Sequence, residues 1–181
     1  MFKHKKKLGQ NFLVNKDIIK KIADIGNINN NSNIIEIGPG SGSLTEELLK
    51  RNPKEIFAIE FDKDLTSHLD KIKNNYSNFN YKISDALTFN EKRIFKKKSI
   101  IFGNLPYNIS LKLLIKWIYS NPWPPFYDQM ILMFQKEVAE RIIATPNHKK
   151  YWRDFRHTFG DCGVYISPVY IYYLRYETYI V

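Results

Sequence analysis

The chain has 181 residues, enough for one domain with a substantial hydrophobic core and too few for two comfortable ones. Its net charge of +10 favours a polyanionic partner such as nucleic acid, although an AT-rich coding sequence would also enrich Lys, Asn and Ile. The single Cys162 excludes a disulfide framework within the chain and a thiolate metal cluster, and the four His residues lack metal-ligand spacing. Because no apolar run could span a membrane and the amino terminus lacks a secretory signal, we expect a cytoplasmic protein. We also expect it to be a monomer and to bind no metal.

Strand-like and helix-like segments alternate between about residues 34 and 144, after an amphipathic helix expected at residues 12–26. Short apolar runs predict strands at residues 34–37, 55–61, 80–84, 99–103 and 129–134. The segments after them predict helices at residues 43–51, 62–74, 110–120 and 136–144, the first with Ser43 as its N-cap. Apolar strands separated by helices are typical of a parallel sheet buried on both faces. The sequence therefore predicts an α/β fold of the Rossmann-like, doubly wound class.

Residues 151–181 do not continue this alternation. Aromatic residues crowd the segment 165–173, and neither a strand nor a helix pattern continues in register. The segment could pair as a final strand, but it does not predict a second domain. We therefore expect one domain over residues 1–150 and a divergent tail over residues 151–181.

A glycine-rich loop, with Gly38, Gly40 and Gly42, follows the first predicted strand and opens a helix. Glycines there allow a sharp turn and a close approach of the backbone to a ligand. The NAD-binding pattern would require a glycine where Ser43 stands, and the Gly-Lys-Ser/Thr ending of a phosphate-binding loop is absent. The loop therefore fits a nucleoside that carries little phosphate.

Acidic residues follow the next two strands. Glu60 stands about twenty residues past the loop, where a carboxylate can accept hydrogen bonds from both ribose hydroxyls. Asp85 follows the third strand and could accept from an adenine amino group. Taken singly, each of these residues also suits an ordinary turn or a solvated carboxylate. As an ordered set they predict that three strand ends meet around one nucleoside.

Asn104, Leu105, Pro106 and Tyr107 follow the fourth predicted strand and would project from its carboxyl end, where open α/β sheets hold their ligands. The Asn104 side-chain oxygen and the Pro106 carbonyl can both accept hydrogen bonds, and Tyr107 offers a ring for stacking. Such a set suits an exocyclic NH2 group on a base or an amide. A strand-ending turn capped by Asn and Pro explains the same residues equally well.

Three segments together resemble the ribosomal RNA adenine dimethyltransferases, which use S-adenosylmethionine. They are Leu-Gly-Gln-Asn-Phe-Leu at residues 8–13, Glu-Ile-Gly-Pro-Gly-Ser-Gly at 36–42 and Gly-Asn-Leu-Pro-Tyr-Asn-Ile-Ser at 103–110. The resemblance covers roughly residues 5–150 and looks closest to the branch that dimethylates two adjacent adenosines near the end of small-subunit ribosomal RNA. A sister branch methylates large-subunit ribosomal RNA, and Leu105 favours the first branch over it.

The resemblance implies S-adenosylmethionine as cofactor, small-subunit ribosomal RNA as partner, and a role for each matching residue. Asn104, Pro106 and Tyr107 match the target-adenine site, and Asn104 also belongs with the cofactor contacts. There the Asn104 oxygen and the carbonyl of Pro106, or of its neighbour, would accept hydrogen bonds from the target amine without a strong general base. Six further residues match the cofactor site: Asn11 and Leu13 as a lid, Gly38 and Gly40 at the methionine part, Glu60 at the ribose and Asp85 at the adenine amino group.

The family continues with further strands, an aromatic-proline segment and a small helical RNA-binding domain, none of which is recognisable here. We therefore expect an incomplete methyltransferase domain over residues 1–150, an exposed sheet edge where the last strands are missing, and weak or absent catalysis. Two alternatives stay open: a non-catalytic remnant that binds RNA during ribosome assembly, and a large-subunit ribosomal RNA adenine methyltransferase. Methylation of another amine, such as DNA adenine or a glutamine amide, is disfavoured by residues 8–13.

Overall fold

The structure is a computed structural model that describes residues 13, 15–95, 97–106, 108–120, 125–143 and 169–173. Within these ranges the strands are β1 (Asn33–Ile37), β2 (Glu55–Glu60), β3 (Phe79–Ile83), β4 (Ser99–Asn104), β5 (Tyr127–Phe134) and β6 (Val169–Tyr173). The α-helices are α1 (Lys16–Ile25), α2 (Ser43–Leu49), α3 (Thr66–Asn75), α4 (Ser110–Ile118) and α5 (Lys136–Ile143). Short 3-10 turns occur at Lys63–Leu65 and Glu91–Arg93. No helix in this part of the chain has both the length and the apolar character needed to cross a membrane.

The six strands form one parallel sheet in the order β3-β2-β1-β4-β5-β6. The chain moves outward from β1 through β2 to β3 and then returns to the other side of β1 as β4. This reversal leaves a crevice between the carboxyl ends of β1 and β4, the place where open α/β sheets bind ligands. Ile37 pairs with Gly103 across these strands. The next residues of the two strands, Gly38 and Asn104, therefore face each other at the crevice.

Helices cover both faces of the sheet, which explains why its central strands are largely apolar. On one face, α1, α2 and α3 contribute buried residues such as Ile22, Leu48 and Leu69. On the other face, α4 and α5 contribute Trp117 and Ala139 among others. All five residues of β1 are buried, at the centre of this arrangement. The predicted doubly wound α/β class is confirmed.

The sheet has one strand more than the five that the sequence located. This sixth strand, β6, pairs in parallel with β5, from Met130 opposite Val169 to Phe134 opposite Tyr173, and becomes the edge of the sheet. The β-branched and aromatic residues of Val-Tyr-Ile-Tyr-Tyr at 169–173 suit a strand. Pairing as a final strand, the possibility that the sequence left open for this segment, is what the structure shows.

The start of α2 also differs from the prediction. Its N-cap is Gly42, in the left-handed conformation, and Ser43 is the first helical residue. The Ser43 hydroxyl lies 3.1 Å from the Ser41 hydroxyl and does not cap the helix backbone. Because only a glycine adopts this φ without strain, the loop can turn directly into the helix and keep its two serines beside the crevice.

Candidate functional site

A cavity of about 190 Å³ lies at the carboxyl edge of the sheet, over the crevice between β1 and β4. Four strands contribute to its wall at their ends: Gly38 follows β1, Glu60 ends β2, Asp85 follows β3 and Asn104 ends β4. The sequence predicted that these residues meet at one cleft, and the structure brings all four together. The convergence follows from the parallel sheet, because each strand delivers its carboxyl end to the same edge.

Three other candidate residues are placed there as well. Leu13, Gly40 and Pro106 all line the cavity. Leu13 is buried and packs in the same core cluster as α1, so the segment before that helix reaches the cavity wall. Asn11 and Tyr107 lie outside the described residues, and their roles stay predictions.

The loop after β1 directs its glycine amide groups into the protein. Gly38, Gly40 and Gly42 all have positive φ, at 68°, 60° and 86°. A phosphate-binding loop would aim such N–H groups at its ligand. Here the three amides bind protein oxygens: Gly38 N to Ile59 O at 2.9 Å, Gly40 N to Glu60 Oε2 at 3.0 Å, and Gly42 N to Pro39 O at 2.9 Å. The groups that Gly38 and Gly40 can still offer a ligand are therefore carbonyl oxygens, which suit a hydrogen-bond donor or a cation.

Replacing Gly42 with Ala should lower the free energy of unfolding more than replacing Gly38 with Ala. A left-handed φ costs an L-residue about 1–2 kcal/mol at either position. An added Cβ at Gly42 would also overlap the Ile72 side chain, whereas at Gly38 it would meet the Asn104 carbonyl oxygen at an ordinary 3.6 Å. Overpacking a core contact adds roughly 1–3 kcal/mol. Urea unfolding of both variants measures the difference, and equal losses would contradict the proposed overlap.

Glu60 holds the loop and the end of its own strand together. It is buried, and Oε1 accepts from Phe61 N and Asp62 N, both at 2.8 Å, while Oε2 accepts from Gly40 N. Burial raises the pKa of this carboxyl, and the three backbone N–H donors act in the opposite direction. Since a carboxylate has about four acceptor positions, one remains on Oε2 for a ligand. Two ribose hydroxyls could therefore bind Glu60 together only by sharing Oε2 or by displacing a backbone donor.

Glu36 is a second buried carboxyl in the cavity wall. It stands in β1 between isoleucines, is 1% exposed, and its Oε2 has no hydrogen-bond partner in the described part of the chain. The pKa of Glu36 is raised to about 8, chiefly by burial; the adjacent Thr45 hydroxyl opposes this rise and the nearby Glu60 carboxylate adds to it. Among the described residues, the buried Thr45 oxygen has no partner in hydrogen-bond geometry. Glu36 can therefore respond to a cation or a donor placed in the cavity.

Asp85 shapes the loop that follows β3. Its Oδ1 accepts from Leu87 N at 2.8 Å, and its backbone oxygen accepts from Thr88 N and Phe89 N. Oδ2 takes no hydrogen bond from the described residues. The side chain is thus held in place by its own loop and keeps one oxygen for a ligand.

The cavity is acidic although the chain is basic. Three carboxyls, those of Glu36, Glu60 and Asp85, line it, and no Lys, Arg or His occurs among the described residues of its wall. No cluster of three or more His, Cys, Asp or Glu side chains in these ranges could hold a metal ion. The lysines and arginines of the described ranges therefore lie outside the cavity wall. Such a site disfavours phosphate and suits an organic cation.

The turn after β4 contains two carbonyl oxygens that could accept a hydrogen bond from a ligand, those of Leu105 and Pro106. The Pro106 carbonyl oxygen accepts from Ile109 N at 3.1 Å and from Ser110 N at 3.0 Å, which closes the turn and starts α4. Because a carbonyl oxygen has two lone pairs, it is already fully used. The neighbouring Leu105 carbonyl receives no turn or loop hydrogen bond from the described residues. Leu105 is therefore the better candidate to accept from a ligand amine, while Pro106 fixes the turn.

The comparisons with known proteins agree with this geometry. The family described as "Ribosomal RNA adenine dimethylase" matches residues 1–154. The chain belongs to the ribosomal RNA adenine dimethylase family. It is 45% identical over 153 residues to "Ribosomal RNA small subunit methyltransferase A" of Wolbachia pipientis wMel, covering 83% of this chain and 52% of that protein. It is also 45% identical over 155 residues to the protein of that name from Pelagibacter ubique (strain HTCC1062), covering 83% and 56%.

Solved structures of rRNA adenine dimethylases and related proteins share the fold. A dimethyladenosine transferase from Plasmodium falciparum superposes with a TM-score of 0.68 at 32% identity, over 80% of this chain and half of that one. The 23S rRNA methyltransferase ErmE superposes with a TM-score of 0.58 at 24% identity, over 72% of this chain and half of the other. This family member thus spans about half the length of the relatives it matches.

Two residues of this cavity were missed by sequence reasoning. Phe61 follows Glu60, lines the cavity and is 60% exposed, although it is a large apolar side chain. An aromatic residue directly after a strand-ending acid was the signal that could have found it. Glu36 was noticed only as part of the glycine segment. Its signal was a single charge inside an otherwise apolar buried strand, Asn-Ile-Ile-Glu-Ile.

Proposed function

We propose that this chain binds S-adenosylmethionine in the cavity and transfers its methyl groups to the exocyclic amino group of adenosines in small-subunit ribosomal RNA. The observation that carries the proposal is an acidic cavity, built from four converging strand ends, in a strongly basic chain of the rRNA adenine dimethylase family. An acidic pocket suits the cationic cofactor, and a basic exterior suits the polyanionic RNA. In this proposal the chain acts as a monomer in the cytoplasm, where ribosomal subunits are assembled.

The donor set of the cavity fits S-adenosylmethionine, which carries a sulfonium and an ammonium group. The Glu36 carboxyl, which would lose its proton as a cation binds, and the carbonyl oxygens of Gly38 and Gly40 would provide acceptors for the amino-acid part. Since the amides of Gly38, Gly40 and Gly42 bind oxygens of the protein, these three groups do not form a competing anion site. Leu13 would close this end of the cavity, together with Asn11. The pocket thereby selects a cationic nucleoside over a nucleotide.

Three residues would bind the nucleoside part. Glu60 retains one acceptor position on Oε2 for a ribose hydroxyl. Asp85 Oδ2 would accept a hydrogen bond from the adenine amino group, since Oδ1 is held by Leu87 N. Phe61 would cover the adenine ring with its exposed aromatic face, an apolar contact that needs no further polar partner.

The target adenine would be held by the turn after β4. The Asn104 side-chain oxygen and the Leu105 carbonyl would accept hydrogen bonds from its amino group and so orient the nitrogen lone pair. Tyr107 would stack on the base and offset part of the cost of unstacking it from the RNA. When bound, S-adenosylmethionine supplies an activated methyl group, whose bond to sulfur breaks as the bond to nitrogen forms, and the amine proton passes to solvent. Positioning by this turn would therefore supply most of the acceleration.

The division of the chain is also part of the proposal. Residues 1–150 would form the cofactor-binding domain, and residues 151–181 a divergent tail that adds β6 to its sheet without forming a domain of its own. The chain spans about half of its full-length relatives, so its catalytic competence is the point to be tested.

The test uses the purified chain, tritiated S-adenosylmethionine and small ribosomal subunits from cells that lack the dimethylation. We expect label in small-subunit RNA, recovered as methylated adenosine, and none with fully methylated subunits as the matched control. Calorimetric titration with S-adenosylmethionine should show one binding site per chain.

Other outcomes have distinct meanings. Cofactor and subunit binding without incorporation would replace the enzyme with a non-catalytic RNA-binding module. Label confined to large-subunit RNA would assign the chain to the other branch. Absence of cofactor binding would contradict the use of the cavity altogether.

A further inference from the structure

A charge cluster centred on the buried carboxylate of Glu91 lies behind the wall of the cavity. Lys116, on α4, donates from Nζ to both carboxylate oxygens of Glu91 at 2.8 Å. Glu91 is 3% exposed and also accepts from Nε1 of the fully buried Trp117 at 2.9 Å. The cluster thus joins two adjacent residues of α4 to the connection between β3 and β4.

The same ammonium group holds the loop that carries Asp85. We call residues 84–90 the Asp85 loop. Lys116 Nζ donates to the carbonyl oxygens of Ala86 at 2.7 Å and Phe89 at 2.6 Å, one on each side of Leu87. Ala86 and Leu87 line the cavity, and Leu87 N is the donor that holds the Asp85 carboxylate. Lys116 therefore holds the Asp85 loop at two carbonyl groups, one before and one after the cavity-lining Leu87.

Helix α4 connects this anchor to the turn that would hold the target base. The helix starts at Ser110, whose N–H binds the Pro106 carbonyl, and Lys116 lies less than two turns later. One rigid element thus touches the turn after β4 at its start and the Asp85 loop further along. A shift of the helix would move both walls of the cavity together.

We propose that Lys116 is a positioning residue that sets the place of Asp85 for recognition of the adenine amino group of the cofactor. The proposal rests on the proposed function and adds a residue outside the cavity wall to it. An ion pair between the buried Glu91 and the partly exposed Lys116 is a poor source of stability compared with apolar packing. In contrast, the hydrogen bonds from Lys116 to the Ala86 and Phe89 carbonyls fix the position of the Asp85 loop within the narrow range of distances that a hydrogen bond allows. The geometry therefore indicates that the cluster serves to hold the Asp85 carboxylate in a defined position.

The test measures discrimination between two ligands by calorimetry. The ligands are S-adenosylhomocysteine and its analogue with unsubstituted purine in place of adenine, which lacks the amino group. The parent chain should prefer the first by about tenfold or more, as expected for a hydrogen bond to a charged acceptor. Lys116→Met should lose most of this preference and keep its affinity for the purine analogue. Since Lys116→Met leaves Glu91 buried without its cation, the double variant Lys116→Met/Glu91→Gln is measured beside it.

Two controls make the result specific. Lys112→Met, the same change on an exposed lysine of α4, should retain the preference in full. Asp85→Ala should abolish it. Full preference in both Lys116 variants would overturn the proposal and leave the cofactor site intact. No preference in the parent chain would overturn the role of Asp85 and the positioning role with it, whereas no binding of either ligand would overturn the proposed function itself.

Discussion

Replacing Asn104 with Ala should reduce methyl transfer by at least about a hundredfold while weakening cofactor binding only modestly. Asn104 ends β4 at the cavity, and the Gly38 loop lies directly opposite it. Losing its side-chain oxygen would remove one of two acceptors that orient the target amine, and misplacement by about 1 Å can cost a factor of 10². Single-turnover transfer from labelled S-adenosylmethionine measures the rate, and calorimetry measures the cofactor affinity.

Asn74→Ala is the matched control for this experiment. Asn74 is exposed near the end of α3 and does not line the cavity. The same chemical change should therefore leave the transfer rate within twofold or so of the parent. Equal turnover by Asn104→Ala and Asn74→Ala would remove Asn104 from the proposed mechanism. A parallel loss of rate and cofactor affinity would instead assign Asn104 to cofactor binding alone.

The parts of the fold that the sequence predicted are those determined by local pattern. A buried parallel strand needs an unbroken apolar run, so β1, β4 and β5 could be located within a few residues. Since parallel strands share a carboxyl edge, the positions of Glu60, Asp85 and Asn104 just at or after their strands predicted that they would meet. The strand order did not need to be known for that conclusion.

The parts that the sequence could not predict depend on contacts between distant segments. The Pro106 carbonyl is used up by the turn that starts α4, and such a choice depends on turn geometry rather than on residue type. Lys116 and Glu91 are 25 residues apart, and each alone would be read as a surface charge. The pairing of β6 with β5 crosses a long aromatic-rich segment that has no regular period. In each case the tertiary partner, and not the local pattern, sets the outcome.

The environment of Glu36 likewise depends on tertiary contacts and could not be predicted from the sequence. This environment leads us to expect a strong effect of pH on the stability of the fold. The pKa of its carboxyl is raised from 4.5 to about 8 in the folded chain, chiefly by burial. Below about pH 4.5 both the folded and the unfolded states hold the proton, so Glu36 adds no pH dependence. Between pH 4.5 and 8 only the folded state holds it, and the free energy of unfolding therefore falls by about 1.4 kcal/mol per pH unit as pH rises. Above about pH 8 both states are ionised, and this loss is complete.

Glu36→Gln should abolish this slope, because an amide does not titrate. The variant should differ little from the parent near pH 5 and should be more stable by a few kcal/mol near pH 8. Urea unfolding at pH 5, 6.5 and 8 measures the difference, with Glu46→Gln, the same change at an exposed position of α2, as the matched control. The contradicting result is a difference in the free energy of unfolding between Glu36→Gln and the parent that stays constant with pH, or that varies with pH as the Glu46→Gln difference does. It would show that the Glu36 carboxyl is already ionised when no ligand is bound. In that case its charge would be present before any cation binds, and the cavity would attract S-adenosylmethionine without taking up or releasing a proton.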